Sequence, residues 1–517
     1  MKSSDSLFQL IKSLSPAEKR YFKMNAALMG PSENKNYIKL FTAIETLSRK
    51  SSDYDEKKLI QKLGTESFVT RIAFEKNHLF NLILISLQSF HANTSISNEL
   101  KNEQQKIELL YNKALFHEAL KRIKKAKDLA YKFEKFTDVL ELIEWGKKIE
   151  RHIEQITEAQ NPDMLTPIME ESMVLELITN QHYFKKESRK LFELLKKKGP
   201  ARNKKEFAAY KNLIRDFANT PETKPSTFIS TILYHHTKTL FHFATGNLKN
   251  LEKEFQFMIT YMENKSWLTG QEIHLYITGV TNSLIHLLDT QQFSTVEKSV
   301  EKLLTIENRF DITLSQATKL KLQLSHFQFL FPSYIEKGDF QKGVDHIDYS
   351  NNYLQQHKEK ISITQLKEFY YHFAYLCYGV GDYKKTLRWL GMLINEKDSD
   401  FLQDLQCYAR ILKLITLTEL QGDADLAGNI RSLYRYLKKR DKIYKLEEEL
   451  ILFFRELKNN DGPNEIKKRF QKLRSNFKKL QENPLEARAF RNFDLISWLD
   501  SKIEGKSFEE VKKRNAS

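Results

Sequence analysis

Two glycine-punctuated words in the chain have the look of phosphate chemistry. "GVGDYK" at 379–384 sets Gly379, Gly381 and Asp382 in the order that opens a dinucleotide turn, and "KGDFQKGV" at 337–344 spaces Gly338 and Gly343 as a phosphate loop does. Such loops bind because glycine lets backbone N–H groups converge on an anion at a helix N-terminus. The rest of the chemistry is missing from both. Lys384 stands where a dinucleotide turn needs its third glycine or alanine, after an aromatic helical stretch rather than a strand, and Val344 stands where a phosphate loop needs lysine.

Other reactive patterns are equally incomplete. His235, His236 and His242 in "LYHHTKTLFHF" are the one histidine cluster, but two helical turns, ~10.5 Å, separate the outer pair, too far to share an ion without a third element. They read as ordinary packing histidines, so neither a metal nor another cofactor is expected. Cys377 and Cys407 lie in apolar helical stripes rather than on strained turns or at helix N-termini that would activate a thiol, and no G-x-S-x-G elbow occurs. Glu448 and Glu449 read as helix-surface charge. Catalysis has no residue set to stand on, and a non-enzymatic protein is expected.

The elements that carry these residues are helices. Only 16 of 517 residues are glycine and 10 proline, well under the usual ~7% and ~5%, while helix formers dominate. The formal net charge is +16, and residues 1–95 and 461–517 each hold 14 basic against 9 acidic side chains, leaving the long middle nearly neutral. That suits a solvated surface as well as a polyanion. The first twenty residues place Asp5 and Lys12 inside any apolar core, so no signal peptide is expected, and the run "LFNLILISL" at 79–87 is half the ~20 residues of a membrane span. Free thiols and no span point to a cytoplasmic protein. Richness in Lys, Asn, Ile and Phe suggests a bacterial, low-GC source.

The glycine words recur. "TGNLKNLE" at 245–252, "TQQFSTVE" at 290–297, "KGDFQKG" at 337–343, "GVGDYKK" at 379–385 and "QGDADLAG" at 421–428 set Gly246, Gly338 with Asp339, Gly381 with Asp382, and Gly422 with Asp423 in corresponding places. From Leu248 the intervals to Phe293, Phe340, Tyr383 and Ala424 are 45, 47, 43 and 41 residues, and Phe116 lies three such periods upstream. After each turn a 3-4-3 spacing (Ala119, Ile123 and Ala126 after Phe116; Thr386, Leu390 and Leu393 after Tyr383) keeps one stripe on a helix, and Tyr370, Phe373, Ala374 and Cys377 form the stripe before it. Glycine ends the first helix and Asp or Asn caps the second.

These turns and the small residue on the packing stripe resemble the tetratricopeptide repeat, over roughly residues 100 to 460. The period of about 44 exceeds that family's 34 and implies helices of about 18 residues. The resemblance implies an all-α fold, a right-handed solenoid of helix pairs whose groove binds a protein segment. It also argues against capture of an acidic chain terminus, because Tyr371 and Tyr375 stand where the carboxylate-clamp members carry Lys and Asn.

The ends read as separate units. Ser15-Pro16-Ala17-Glu18 is a capping box, further helices are expected at 37–48, 56–63 and 68–90, and the polar stretch 91–104 is a boundary. Prolines 162, 200, 221 and 225 place helix ends in 155–226, which reads as degenerate repeats with longer loops. After 459–465, Ile466, Phe470, Leu473, Phe477 and Leu480 form a heptad stripe on a basic helix. The expected organisation is an N-terminal helical domain (1–95), a repeat array (100–460) and a basic C-terminal cap (461–517).

Two surfaces are candidates for binding. Tyr371, Tyr375 and Tyr378 project side by side opposite the packing stripe, and tyrosine suits peptide contact; packing against the next repeat is the competing use. Lys196, Lys197, Lys198, Arg202, Lys204 and Lys205 concentrate positive charge that nucleic acid would satisfy. The expectation is a scaffold or adaptor binding a partner protein segment, with nucleic-acid binding or a regulatory role as the alternative. Partner identity and oligomeric state are not encoded in these patterns.

Overall fold

The computed structural model describes residues 6–28, 36–50, 54–64, 66–91, 95–157, 165–201, 204–215, 217, 224–395, 403–420, 426–438, 445–457, 462–482, 490 and 492–516. Among these every regular element is a helix, as the scarcity of glycine and proline requires, and no helix is long and apolar enough to cross a membrane. Two compact units divide the chain at Asn247 and Leu248, inside the stretch read as one array.

In the first unit, α1 (Ser6–Ser13), α2 (Pro16–Leu28), α3 (Asn36–Lys50), α4 (Glu56–Leu63) and α5 (Ile72–Phe90) close around Phe8, Ile11, Phe41, Ile44, Leu79 and Ile83. The capping box forms: the Ser15 N–H donates to Glu18 Oε2 at 2.7 Å and the Glu18 N–H to Ser15 Oγ at 3.3 Å. Then follow α6 (Ile96–Asn112), α7 (Phe116–Lys132), α8 (Phe136–Thr157), α9 (Leu165–Lys198), α10 (Lys204–Arg215) and α11 (Phe228–Ala244). The expected stripe of α7, Ala119, Ile123 and Ala126, is buried. Within 155–226, read as degenerate repeats with longer loops, lies α9, one helix of 34 residues, ~51 Å long. Pro167 sits in its first turn and Pro200 just beyond its end, where a missing N–H costs nothing. Pro162 and Pro221 lie outside the described residues.

The second unit comprises α12 (Leu248–Asn264), α13 (Ser266–Gln271), α14 (Ile273–Asp289), α15 (Phe293–Leu304), α16 (Ile306–Phe310), α17 (Gln316–Lys337), α18 (Phe340–Asp345) and α19 (Ile347–Gln356). After these come α20 (Ile363–Gly379), α21 (Tyr383–Asn395), α22 (Gln403–Glu419), α23 (Leu426–Lys438), α24 (Lys445–Glu456), α25 (Pro463–Gln481), α26 (Leu495–Glu504) and α27 (Phe508–Ala516). From α14 to α25 the helices pack chiefly on their neighbours in sequence. The heptad stripe of α25 is used as its spacing dictates, with Phe470, Leu473 and Phe477 buried.

One turn recurs in both units. At Ala114, Glu134, Gly246, Gln291, Gly338 and Gly381 the backbone is left-handed, with φ from 51° to 81°. At each, that residue's N–H bonds back three residues and the next N–H bonds back five, as in Gly381 to Tyr378 O (3.0 Å) and Asp382 to Cys377 O (2.9 Å). This is the Schellman closure of a helix C-terminus. Three of the six positions are not glycine, which is why "NKALF" and "KFEKF" lack the glycine word in sequence yet make the same turn. Asp382 caps the following helix, accepting from the Lys385 N–H at 3.1 Å; Asp339 makes no such cap and pairs with Lys342 at 2.9 Å instead. Gly422 and Asp423 lie outside the described residues. Since an L-residue pays ~1–2 kcal/mol in this conformation and glycine part of that in entropy, Gln291→Gly and Ala114→Gly should each raise stability by ~0.5–1 kcal/mol in urea melts, and Gly381→Ala should lower it comparably.

The glycines that suggested phosphate binding serve packing. A Cβ on Gly379 would lie 2.1 Å from the Phe340 ring, and one on Gly343 would lie 2.4 Å from the Leu376 side chain. Without side chains at these two positions, α18 and α20 approach closely and Phe340 is wholly buried.

Candidate functional site

α20 begins at Ser362, whose side chain accepts from the Gln365 N–H at 3.2 Å, and it is buried nearly all round. Its packing stripe is buried as expected: Phe373, Ala374 and Cys377 are fully enclosed. The opposite stripe is enclosed as well. Tyr371, Tyr375 and Tyr378 are 5%, 4% and 1% exposed, which corrects the expectation of an open groove lined by these rings.

What covers them is chiefly the chain's own C-terminal tail, residues 492–516, with α22 of the next helix pair contributing at Glu419. Tyr371 Oη donates to the Asn492 carbonyl at 2.9 Å, the Asp494 N–H donates to Tyr375 Oη at 3.0 Å, and Tyr378 Oη donates to Glu419 at 3.2 Å. Phe508 enters between the rings, 5.3 Å from Tyr378, 5.6 Å from Phe340 and 5.6 Å from Phe493, stacked on the last two. Tyr375 and Tyr378 thus bury their rings against the aromatic anchors, and all three tyrosines satisfy their hydroxyls, the double use for which the residue is suited.

Charge fixes both ends of the seat. Lys512, buried, donates to Glu336 and to Asp494, each at 3.0 Å. Burial works against its charge, but the two carboxylates outweigh that and hold the ammonium above the usual lysine range. Glu419 receives the Trp498 indole N–H at 3.2 Å and pairs with Lys502. Asp494 also caps α26 through the Ser497 N–H at 2.9 Å. At the Gly338 turn the backbone of α27 passes so near that an added Cβ would meet the Lys513 nitrogen at 3.1 Å.

The bonds of Tyr371, Tyr375 and Glu336 to the tail join residues 119 to 176 positions apart in a unit otherwise built from neighbour on neighbour. Sequence reading did not anticipate Phe493, Asp494, Phe508 or Lys512 as anchors. The accessible signal was the capping pattern Ser507-x-x-Glu510, which forms with bonds of 3.0 and 3.2 Å and marks the start of a separate amphipathic helix.

The remaining candidate residues are dispersed. Cys377 is buried, and burial pushes its thiol up to about 12, so it stays protonated at neutral pH. His236 is held against Ser188 at 3.0 Å, and burial lowers its pKa. Lys196, Lys197 and Lys198 are exposed in the last turn of α9, where they complement the helix dipole. Lys204 and Lys205 are exposed at the start of α10, where the dipole gives them no support. Arg202 lies outside the described residues.

The titrating groups give the second unit a defined stability window. Burial lowers His372 to about 4, and burial with the nearby His346 lowers His326 to about 4. Below the unfolded histidine value of ~6.5 the unfolded chain takes up protons that the folded one refuses, so stability should fall as pH drops from ~6.5 toward 4. Burial raises Cys377, Tyr371, Tyr375 and Tyr378, so stability should fall again above pH ~9. Urea midpoints across pH 4–11, flat only between those limits, would check both signs.

Comparison with family models, with curated proteins and with solved structures finds no match for this chain.

Proposed function

We propose that this chain is a non-enzymatic scaffold, a tetratricopeptide-like right-handed solenoid of a bacterial cytoplasm, which binds a segment of a partner protein on the tyrosine face of α20. The observation that carries the reading is the seating of residues 490–516. A peptide-like stretch of two short helices and the turns beside them is held there by aromatic anchors, main-chain hydrogen bonds and a buried lysine, means by which repeat grooves hold partners. The tail then acts as an occupant in cis, and a partner segment displaces it.

The test is fluorescence anisotropy with a labelled peptide of residues 490–516 added to the full-length chain. A tethered occupant has an effective concentration in the millimolar range, so the unaltered chain should bind the peptide at least ~10-fold more weakly than a Phe493→Ala/Phe508→Ala chain. Equal, negligible binding to both, with helicity intact, would remove the basis of the proposal.

The exposed lysines of α9 and α10 favour a second reading, contact with RNA or DNA. It requires affinity that falls steeply with salt and is lost on neutralising Lys196, Lys197 and Lys198.

A further inference from the structure

A cavity of about 490 Å³ lies between α17 and α20, bordered by Asn492 of the tail. Leu288, Phe329, Ile335 and Leu405 give it apolar walls, and Tyr371 and Tyr375 present aromatic ones. Its polar lining is acidic, with no lysine or arginine among its residues. Glu336 and Glu368 bring carboxylates, and His372 and Gln328 complete the set.

Three observations show that acceptors of this lining, which holds no lysine or arginine, are left unmet. Glu368 is half-buried, and burial alone pushes its carboxyl above the usual range, with no neighbouring cation drawing it back. Pro332, inside α17 and on the cavity wall, has no N–H, so it cannot supply the hydrogen bond that the Gln328 carbonyl would receive in an unbroken helix. His372 adds no positive charge, because burial keeps its imidazole neutral near pH 7, and its Nδ1 is shut off from solvent without a partner among the described residues. The same acidic wall already holds one ammonium group, that of Lys512 on Glu336.

We propose that this cavity is a binding site for an alkyl guanidinium or ammonium group, seated on Glu368 and the freed Gln328 carbonyl with its stem along Phe329 and the tyrosine rings. A half-buried carboxylate with no cation is costly, and a charge-assisted hydrogen bond there recovers the loss. Aromatic walls add cation–π attraction and exclude hydrated inorganic ions of the same charge. The site stands whether or not the tail face receives a partner, since it is open with the tail in place.

Isothermal titration of the full-length chain with agmatine, with 1-pentanol as a neutral probe of similar length, tests it. One saturable site for agmatine is expected, weakened at least ~10-fold by Glu368→Gln and unchanged by Glu448→Gln at an exposed position of α24. N-acetylarginine methylamide distinguishes the source of the group: tighter binding than agmatine assigns it to a side chain of a protein segment, weaker binding to a free amine, and either supports the site. No saturable heat from either cation, equal affinity in Glu368→Gln, or pentanol binding as tightly as agmatine would overturn it.

Discussion

Gly379→Ala lowers the stability of the second unit by ~1–3 kcal/mol, the range in which buried overpacking falls, although alanine is the better helix former by ~1 kcal/mol. The reason is local: the new methyl would sit 2.1 Å from a Phe340 ring that is itself fully enclosed and so cannot step aside without disturbing Phe508 and Tyr375, on which it stacks. Phe340→Ala alone costs ~3–5 kcal/mol through the space it leaves. In that background Gly379→Ala should cost nothing. The double-mutant cycle therefore returns a coupling of ~1–3 kcal/mol. Trp389 is a suitable reporter for the urea melts, being buried 5.1 Å from Phe373 of α20. Additive costs would show that the two helices do not meet through this glycine.

The second large effect concerns the tail. Phe508→Ala removes a ring in contact with Phe340, Tyr375, Tyr378 and Phe493, a loss of ~3–5 kcal/mol if the site cannot collapse. That loss falls first on the docking of 492–516, although Phe493, Trp498 and Phe508 share one buried cluster with α17 to α25. Amides of α26 and α27 should exchange at least ~100-fold faster while those of α20 and α21 keep most of their protection. Lys512→Met should act in the same direction but less strongly. Glu336 and Asp494 are partly solvated, so the carboxylates left behind regain water. Uniform loss of protection throughout the unit would instead make the tail an integral part of the core.

Much of this architecture was written in local patterns. A helix that packs on its neighbour needs a stripe at 3-4-3 spacing, and Ala119, Ile123 and Ala126 announce it; a helix that stops in a left-handed residue prefers glycine, and Gly246, Gly338 and Gly381 announce that. The same turn at Glu134 or Gln291 leaves no such mark, because the Schellman bonds can hold an ordinary residue there at modest cost. The tail escaped for a different reason. Whether Tyr371, Tyr375 and Tyr378 face solvent, a partner or a segment 120 residues away depends on long-range docking that periodicity does not encode. The buried Lys512 reads in sequence as one more surface base. The long helix α9 was hidden by the prolines near its ends, which mark boundaries without saying how far apart the elements between them run.

The central claim is that the tail sits on the tyrosine face of α20, and the Asp494 amide reports it directly, since its N–H donates to Tyr375 Oη. Hydrogen exchange at that amide, compared between the unaltered chain and Tyr375→Phe, isolates one oxygen atom. Strong protection in the first, at least ~10-fold faster exchange in the second, and unchanged protection in α24 and α25 are the predicted results. Exchange at the free-peptide rate in the unaltered chain would contradict the account.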